Sequence, residues 1–147
     1  VLMRPRSEPC PAHLPASDFC IQWAKQQLQQ LPSWLTAQQV ILDPGIGFGT
    51  TAEQSWQLIG KLSDWRALPC ALLLGHSRKS FLSTCTRAHP QARDPATLAV
   101  SLACQQDVDY LRVHDVAMHA QAMHAHAQLQ QQSIMTRRSH EHLATTN

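Results

Sequence analysis

Four short apolar runs, each followed at once by polar or charged residues, constrain the fold of this chain more than any other feature. The runs occupy residues 1–3, 40–42, 70–75 and 109–113. Apolar residues with helical spacing fill most of the intervals between them, so strands and helices alternate along the sequence. Because the runs are too uniformly apolar for a sheet with one solvated face, they are typical of parallel strands covered by helices. The sequence therefore predicts an α/β fold with four parallel strands.

Helix start signals follow the predicted strands. Ser17 is placed as an N-cap, Thr51 opens a TAEQ capping box, and Asp94 with Pro95 marks a third helix start. A further helix is predicted to begin near Ser80. The main predicted helices cover residues 17–31, 51–62, 94–105 and 116–131. The polar residues 133–147 are predicted to form a frayed tail.

Composition narrows the class of protein. The chain has 147 residues, of which 44% are hydrophobic, which is enough for the core of one average domain or of a piece of a larger one. Its twelve Lys and Arg residues are scattered and the net charge is only +2, which argues against a nucleic-acid surface. No apolar run approaches the roughly 18 residues of a membrane span. Five cysteines without CxxC spacing indicate a reducing compartment, so we expect a cytoplasmic protein.

Chemically useful side chains follow the predicted strands. They are Arg4, Asp43, the segment from Ser77 to Lys79, and Arg112 with His114. In α/β folds the carboxyl ends of parallel strands meet at one face, where active sites lie. These side chains are therefore candidates for a common site.

The first motif is LDPGIGFG. Asp43 ends a buried strand, where it either accepts hydrogen bonds from a ligand with adjacent N–H groups or caps its own glycine turn. The pattern leaves both interpretations open. Gly45, Gly47 and Gly49 permit close backbone approach, and Phe48 offers an aromatic face to a flat ligand.

The second motif is GHSRKS. If a helix begins near Ser80, its free N–H groups together with Ser77, Arg78 and Lys79 form an anion pocket. The alternative is a solvated pair of cations at a helix start. That alternative is disfavoured because cations at a helix N-terminus oppose the helix dipole.

The third motif is LRVHD. Arg112 and His114 alternate along a strand end and so point to the same side. A guanidinium beside an imidazole suits a phosphate or pyrophosphate. A structural hydrogen bond of His114 to Asp115 or the backbone, and an ordinary ion pair of Arg112, explain the pattern equally well.

The order LDPGIGFG, GHSRKSFL, LRVHDV resembles the C-terminal half of dihydropteroate synthase, the folate-pathway enzyme that sulfonamides target. The resemblance covers residues 1–132 and implies the last four strands of a (β/α)8 barrel. It implies a transferase that joins 6-hydroxymethyl-7,8-dihydropterin pyrophosphate to p-aminobenzoate and releases pyrophosphate, with Mg²⁺ present. It also implies a homodimer built through the last helices.

The same resemblance implies roles for single residues. Asp43 would hold the amino and ring N–H groups of the pterin, and Lys79 would contact the pterin and the p-aminobenzoate pocket. Phe48 would pack on the aminobenzoate ring. The remaining implied contacts are Met3, Gly47 and Gly75 along the pterin slot, Ser77 among the substrate-binding residues, Arg78 at the rim, Ser80 at the aminobenzoate carboxylate, and Arg112 and His114 at the pyrophosphate. Lys79, Arg112 and His114 are the implied catalytic residues.

The chain departs from the family pattern at two positions, where Arg4 replaces a histidine and Thr50 replaces a lysine. The family's first four strands, with the expected Mg²⁺ ligand, have no counterpart here. We therefore expect the chain alone to be catalytically incomplete. The rival interpretation is a truncated or degenerate half-barrel that binds pterin without catalysis or serves as an interaction module. A pterin-dependent methyltransferase is disfavoured by Arg78 and Lys79.

Overall fold

The computed structural model describes the backbone of residues 1–144 and the side chains of residues 1–133. The strands are β1 (Leu2–Met3), β2 (Ile41–Asp43), β3 (Ala71–Leu74) and β4 (Tyr110–Leu111). The α-helices are α1 (Ala16–Gln29), α2 (Ala52–Ile59), α3 (Asp94–Cys104) and α4 (Val116–Ala144). Short 3₁₀ helices occupy Ala37–Gln39, Leu62–Ala67, Ser80–Thr84 and Pro90–Ala92.

The four strands form one parallel sheet in the order β1-β2-β3-β4. The register sets Met3 beside Asp43, and Leu74 beside Leu111. All four carboxyl ends therefore lie at one edge of the sheet, as the sequence predicted. Within the described residues β1 and β4 are the edge strands, so this sheet is open.

The core lies between the sheet and the helices that follow its strands. Leu42 and Leu74 of the central strands are fully buried, as their uniformly apolar runs predicted. Helix α1 buries Cys20, Trp23 and Ala24, which are spaced three and four residues apart and so share one face. Burying a large apolar side chain contributes about 1.5–3 kcal/mol, so this face holds α1 in place.

The predicted helix starts are partly right. The capping box at Thr51 is confirmed: its hydroxyl accepts from the Gln54 N–H at 3.1 Å, and the Gln54 side chain accepts from the Thr51 N–H at 3.0 Å. The prediction that Ser17 is the N-cap of α1 is wrong, because Pro15 occupies that position and Ser17 lies buried in the first turn. Proline has a φ suited to helix entry, which lets the helix begin earlier.

Two other helix predictions are corrected in part. A helix does begin at Ser80, as predicted, but it is a 3₁₀ helix of 5 residues, Ser80–Thr84. The last helix does not end near residue 131 but continues to Ala144, since its Ala- and Gln-rich sequence has high helix propensity. The end of the predicted tail, residues 145–147, lies outside the described residues.

The chain divides into two compact units, residues 1–114 with the sheet and residues from 115 onward with α4. In the second unit the Asp115 carboxylate accepts a hydrogen bond from the Met118 N–H at 2.9 Å and so caps α4. Through residue 144, no helix is both long and apolar enough to cross a membrane.

Candidate active site

A cavity of about 340 Å³ brings the three sequence motifs together. Two of its walls are the glycine loop (residues 43–50) after β2 and the basic loop (residues 75–79) after β3. The end of β4 supplies the third wall. The lining residues are Phe48, Gly75, Ser77, Lys79, Arg112, Val113 and His114. All except Val113 were predicted from the sequence.

Asp43 stands beside this cavity with no exposed surface. Its Oδ1 accepts the Gly45 N–H at 2.9 Å, and its Oδ2 accepts from Arg112 Nη2 at 3.0 Å. The carboxylate therefore does cap its own glycine turn, one of the two roles left open by the sequence. Each carboxylate oxygen accepts about two hydrogen bonds, so each retains capacity for one more.

Arg112 reaches Asp43 across Gly75. A Cβ atom at position 75 would stand 2.6 Å from Arg112 Nη2, so the guanidinium passes where any larger residue would put its side chain. The Arg112 side chain is 54% exposed, whereas that of Asp43 is 0% exposed. Arg112 is thus anchored at one nitrogen and is otherwise open to the cavity.

Lys79 crosses from the basic loop to the glycine loop. Its Nζ donates to the Ile46 carbonyl and lies 4.5 Å from the centroid of the Phe48 ring, a cation–π contact. Its aliphatic chain passes Gly47, where a Cβ would lie 3.3 Å from Lys79 Cδ. Burial lowers the pKa of Lys79 to about 8; Asp43 opposes this shift and Arg112 adds to it. Lys79 is therefore a weakly hydrated cation at neutral pH.

Arg78 turns away from the cavity. Its φ of 58° is the left-handed conformation, uncommon for a residue with a side chain. The guanidinium binds Asp94 of α3 through two bonds, Nε to Oδ1 at 2.8 Å and Nη2 to Oδ2 at 2.6 Å. The interpretation that Arg78 and Lys79 act together on one anion is therefore wrong, because Arg78 binds Asp94 of α3 whereas Lys79 extends to the glycine loop.

Ser77 and His114 form a direct pair. Ser77 Oγ lies 2.8 Å from His114 Nδ1 and also accepts the main-chain N–H of His114 at 3.3 Å. The structural hydrogen bond considered for His114 exists, but its partner is Ser77 rather than Asp115. His114 still lines the cavity, so this bond and a ligand contact are compatible.

Three predicted contacts lie at the margin. Ser80 is exposed, is absent from the cavity lining and begins a 3₁₀ helix, so it lacks the α-helix dipole expected there. Met3 is 36% exposed at the end of β1. Gly47 is exposed on the glycine loop with a φ of +77°, which suits glycine. The substrate roles of these residues and of Arg78 stay predictions.

Arg4 is the residue whose role the sequence did not reveal. It is fully buried, and its side chain donates to the carbonyls of Pro44, Glu8 and Phe48. Its own N–H donates to the Asp43 carbonyl at 3.3 Å. Arg4 therefore ties β1 to the glycine loop instead of facing a ligand. The only signal was a cation at a strand end inside a proline-rich loop.

The donor set does not fit the implied metal. Among residues 1–133 there is no group of three or more His, Cys, Asp or Glu side chains that could hold an ion. A larger cavity of about 440 Å³ lies at the start of α1. Its charged lining residues are Asp18, Lys61 and Asp64, and it lacks the aromatic ring and the cluster of basic side chains that line the cavity after β2, β3 and β4.

The family model for pterin binding enzymes matches residues 15–114. The chain belongs to the pterin-binding enzyme family. A folate synthesis bifunctional protein of Chlamydia caviae is 41% identical over 114 residues, covering 76% of this chain and 26% of that protein. Escherichia coli dihydropteroate synthase is 32% identical over 90 residues, covering 60% of this chain and 32% of that enzyme.

Solved structures of this family have the same fold. The dihydropteroate synthase of Anaplasma phagocytophilum with bound 6-hydroxymethylpterin-monophosphate aligns with a TM-score of 0.76 and 28% identity over 86% of this chain and 53% of that one. The dihydropteroate synthase of Xanthomonas albilineans with 4-aminobenzoic acid aligns with a TM-score of 0.77 and 26% identity. That alignment covers 87% of this chain and 47% of that one. The chain thus spans about half the length of these structures. The resemblance to dihydropteroate synthase and the predicted half-barrel fold are confirmed.

Proposed function

We propose that this chain forms one side of a dihydropteroate synthase active site. In that site dihydropterin pyrophosphate is joined to p-aminobenzoate in folate biosynthesis. One observation carries the proposal: Lys79, Arg112 and His114 converge with the Phe48 ring on a single cavity beside a buried carboxylate. Relatives are named for this activity. One of the similar structures holds 6-hydroxymethylpterin-monophosphate, and another holds 4-aminobenzoic acid.

Asp43 recognises the pterin. The pterin edge carries an amino group and a ring N–H side by side, and the two remaining acceptor positions of the Asp43 carboxylate match that pair. Arg112 covers Oδ2 and Asp43 is fully buried, so the ligand reaches the carboxylate only when Arg112 moves. The guanidinium is then released to bind the pyrophosphate.

The reaction requires orientation and charge stabilisation rather than a side-chain nucleophile. The amine nitrogen of p-aminobenzoate forms a bond to the pterin methylene carbon while the carbon–oxygen bond to pyrophosphate breaks, and the oxygen keeps the electron pair. The amine loses one proton to solvent. Arg112 and His114 stabilise the negative charge that develops on the leaving pyrophosphate.

Phe48 and Lys79 form the aminobenzoate side. The Phe48 ring packs on the flat p-aminobenzoate. The Lys79 ammonium stays 4.5 Å from the centroid of the Phe48 ring and supplies positive charge between the two substrates. Met3, Gly47, Gly75 and Ser80 are the proposed surrounding contacts, of which Gly75 lines the cavity. Arg78, which binds Asp94, is proposed to shape the rim, and Ser77 lines the cavity beside His114.

Three further features belong to this proposal. The Mg²⁺ of such an enzyme takes its ligands from residues other than those described here. The enzyme is a homodimer through its last helices, which sedimentation at several concentrations tests. It acts in the cytoplasm, in keeping with five cysteines that are all free.

Ligand binding to the 147-residue chain tests the site. We expect 6-hydroxymethylpterin monophosphate to quench tryptophan fluorescence and Asp43→Asn to weaken its binding at least about tenfold, because the Asn side chain replaces one acceptor by a donor. Asp64→Asn is the matched control, since Asp64 is exposed and lies outside this cavity. Equal affinity of the Asp43→Asn variant and the wild-type chain would remove the pterin role of Asp43.

An activity assay separates the enzyme from the non-catalytic alternative. The chain alone is expected to form no dihydropteroate, because the sheet of the described residues is open at both edges and the chain spans only about half the length of the family's solved structures. The longest reading frame containing this sequence is expected to be active. If that product binds the pterin phosphate but forms no dihydropteroate, the non-catalytic pterin-binding interpretation replaces ours.

A further inference from the structure

We propose that Ser77 is a positioning residue for His114: its hydroxyl holds the imidazole in the tautomer that carries the proton on Nε2 and presents that N–H to the anionic leaving group. The proposal rests on the function above for its ligand. It changes the role of Ser77, which acts through His114 instead of contacting the substrate.

Hydrogen-bond counting gives the direction of each bond. The main-chain N–H of His114 can only donate, so Ser77 Oγ is its acceptor at 3.3 Å. A serine hydroxyl has one proton, and the remaining close partner of Oγ is His114 Nδ1 at 2.8 Å. The second lone pair of Oγ can accept an Nδ1–H, but the hydroxyl proton would then have no acceptor among the described residues, so we assign the hydroxyl as the donor to Nδ1. A ring nitrogen that accepts carries no proton, so in the neutral ring the proton is on Nε2.

The surroundings keep this pair intact. Ser77 is only 5% exposed, so water competes poorly for its hydroxyl, whereas His114 is exposed and lines the cavity. Nε2 lies across the ring from the Ser77 bond and so is available to a ligand in the cavity. Arg112 lines the same cavity, so a bound pyrophosphate meets an imidazole donor and a guanidinium together.

Nitrogen NMR of the ¹⁵N-histidine-labelled chain tests the tautomer without any ligand. At pH 8 we expect His114 to show an unprotonated Nδ1 and a protonated Nε2. The signals are assigned by their loss in His114→Gln. Ser77→Ala is expected to give a mixture of tautomers, whereas Ser77→Thr, which keeps the hydroxyl, and the exposed control Ser83→Ala are expected to retain the wild-type pattern.

A pyrophosphate titration measures the consequence. We expect Ser77→Ala to weaken inorganic pyrophosphate binding about three- to tenfold, the size of one lost hydrogen bond, and Ser77→Thr to restore it. A proton on Nδ1 in the wild-type chain, or an unchanged tautomer in Ser77→Ala, would overturn the inference. If His114→Gln leaves pyrophosphate binding unchanged, the proposed role of His114 fails, and the NMR result still decides that of Ser77.

Discussion

The glycine loop and the basic loop form facing walls of one cavity, yet they are held in different ways. The glycine loop is fixed through its main-chain carbonyls, which accept from Arg4 and Lys79. The basic loop is fixed mainly by residues at the start of α3. Asp94 binds the Arg78 side chain, Thr97 Oγ1 accepts the Arg78 N–H at 3.1 Å, and Arg93, just before α3, donates to the Arg78 and Lys79 carbonyls at 3.4 and 3.2 Å. Both loops accept hydrogen bonds from a cation outside the loop, and the basic loop additionally binds the Asp94 and Thr97 side chains of the helix beside it.

The adjacent cations Arg78 and Lys79 show the difference most directly. The positive φ of Arg78 turns the chain so that its guanidinium binds α3, while Lys79 crosses the cavity to Ile46. Arg78 has a carboxylate partner, and Lys79 has a carbonyl and an aromatic ring. Removing each anchor in turn tests whether the walls depend on separate anchors.

Arg4→Met should have the largest effect on stability. It leaves three carbonyls without their buried donor, so we expect the free energy of unfolding to fall by about 3 kcal/mol or more in urea denaturation. Arg6→Met is the control because Arg6 is exposed. Arg4→Lys, which keeps the charge with a smaller donor set, should lose less. A loss below about 1 kcal/mol in Arg4→Met would show that the glycine loop does not need this anchor.

Arg78→Met should weaken the basic loop by a smaller amount. The guanidinium and the Asp94 carboxylate are 25% and 15% exposed, and loss of charged hydrogen bonds in such a site costs about 1.5–3 kcal/mol. The exposed Arg87→Met is the control. Binding of 6-hydroxymethylpterin monophosphate should change little at a temperature where the variant is folded. A tenfold loss there would instead support a substrate contact for Arg78.

Lys79→Met should have the smallest effect, seen as a change in pH dependence. The pKa of Lys79 is lowered in the folded chain, so above about pH 8 the folded state releases a proton that the unfolded state keeps. The unfavourable contribution of buried Lys79 is therefore fully present below pH 8 and is relieved as the pH rises from 8 towards 10.5. The stability of wild type minus that of Lys79→Met should rise across this range.

The difference between variants is the quantity to measure. Burial raises the pKa of Cys20 and Cys104 to about 11, so these thiols lower stability at alkaline pH in both proteins and cancel. Lys61→Met, at an exposed position, is the matched control and should give a flat difference. A flat difference for Lys79→Met as well would show that Lys79 is not desolvated in the folded chain.

The sequence predicted the residues of the site better than their partners. Uniformly apolar runs are a local signal, and they placed β1 to β4 and the polar residues after them correctly. The interval between Ser77 and His114 contains α3 and β4, so no sequence pattern could report their hydrogen bond. The partners of Arg4 and Arg78 were missed for the same reason, since both depend on which loop or helix packs beside them.

By itself the sequence determined the parallel α/β order, the face that carries the site and the family, because these depend on hydrophobic periodicity and on short motifs. Only the tertiary structure decided which cation faces the cavity. Arg78 and Lys79 are adjacent and carry the same charge, so composition cannot distinguish them. A left-handed φ at Arg78, stabilised by Asp94, directs one to α3 and leaves the other over Phe48.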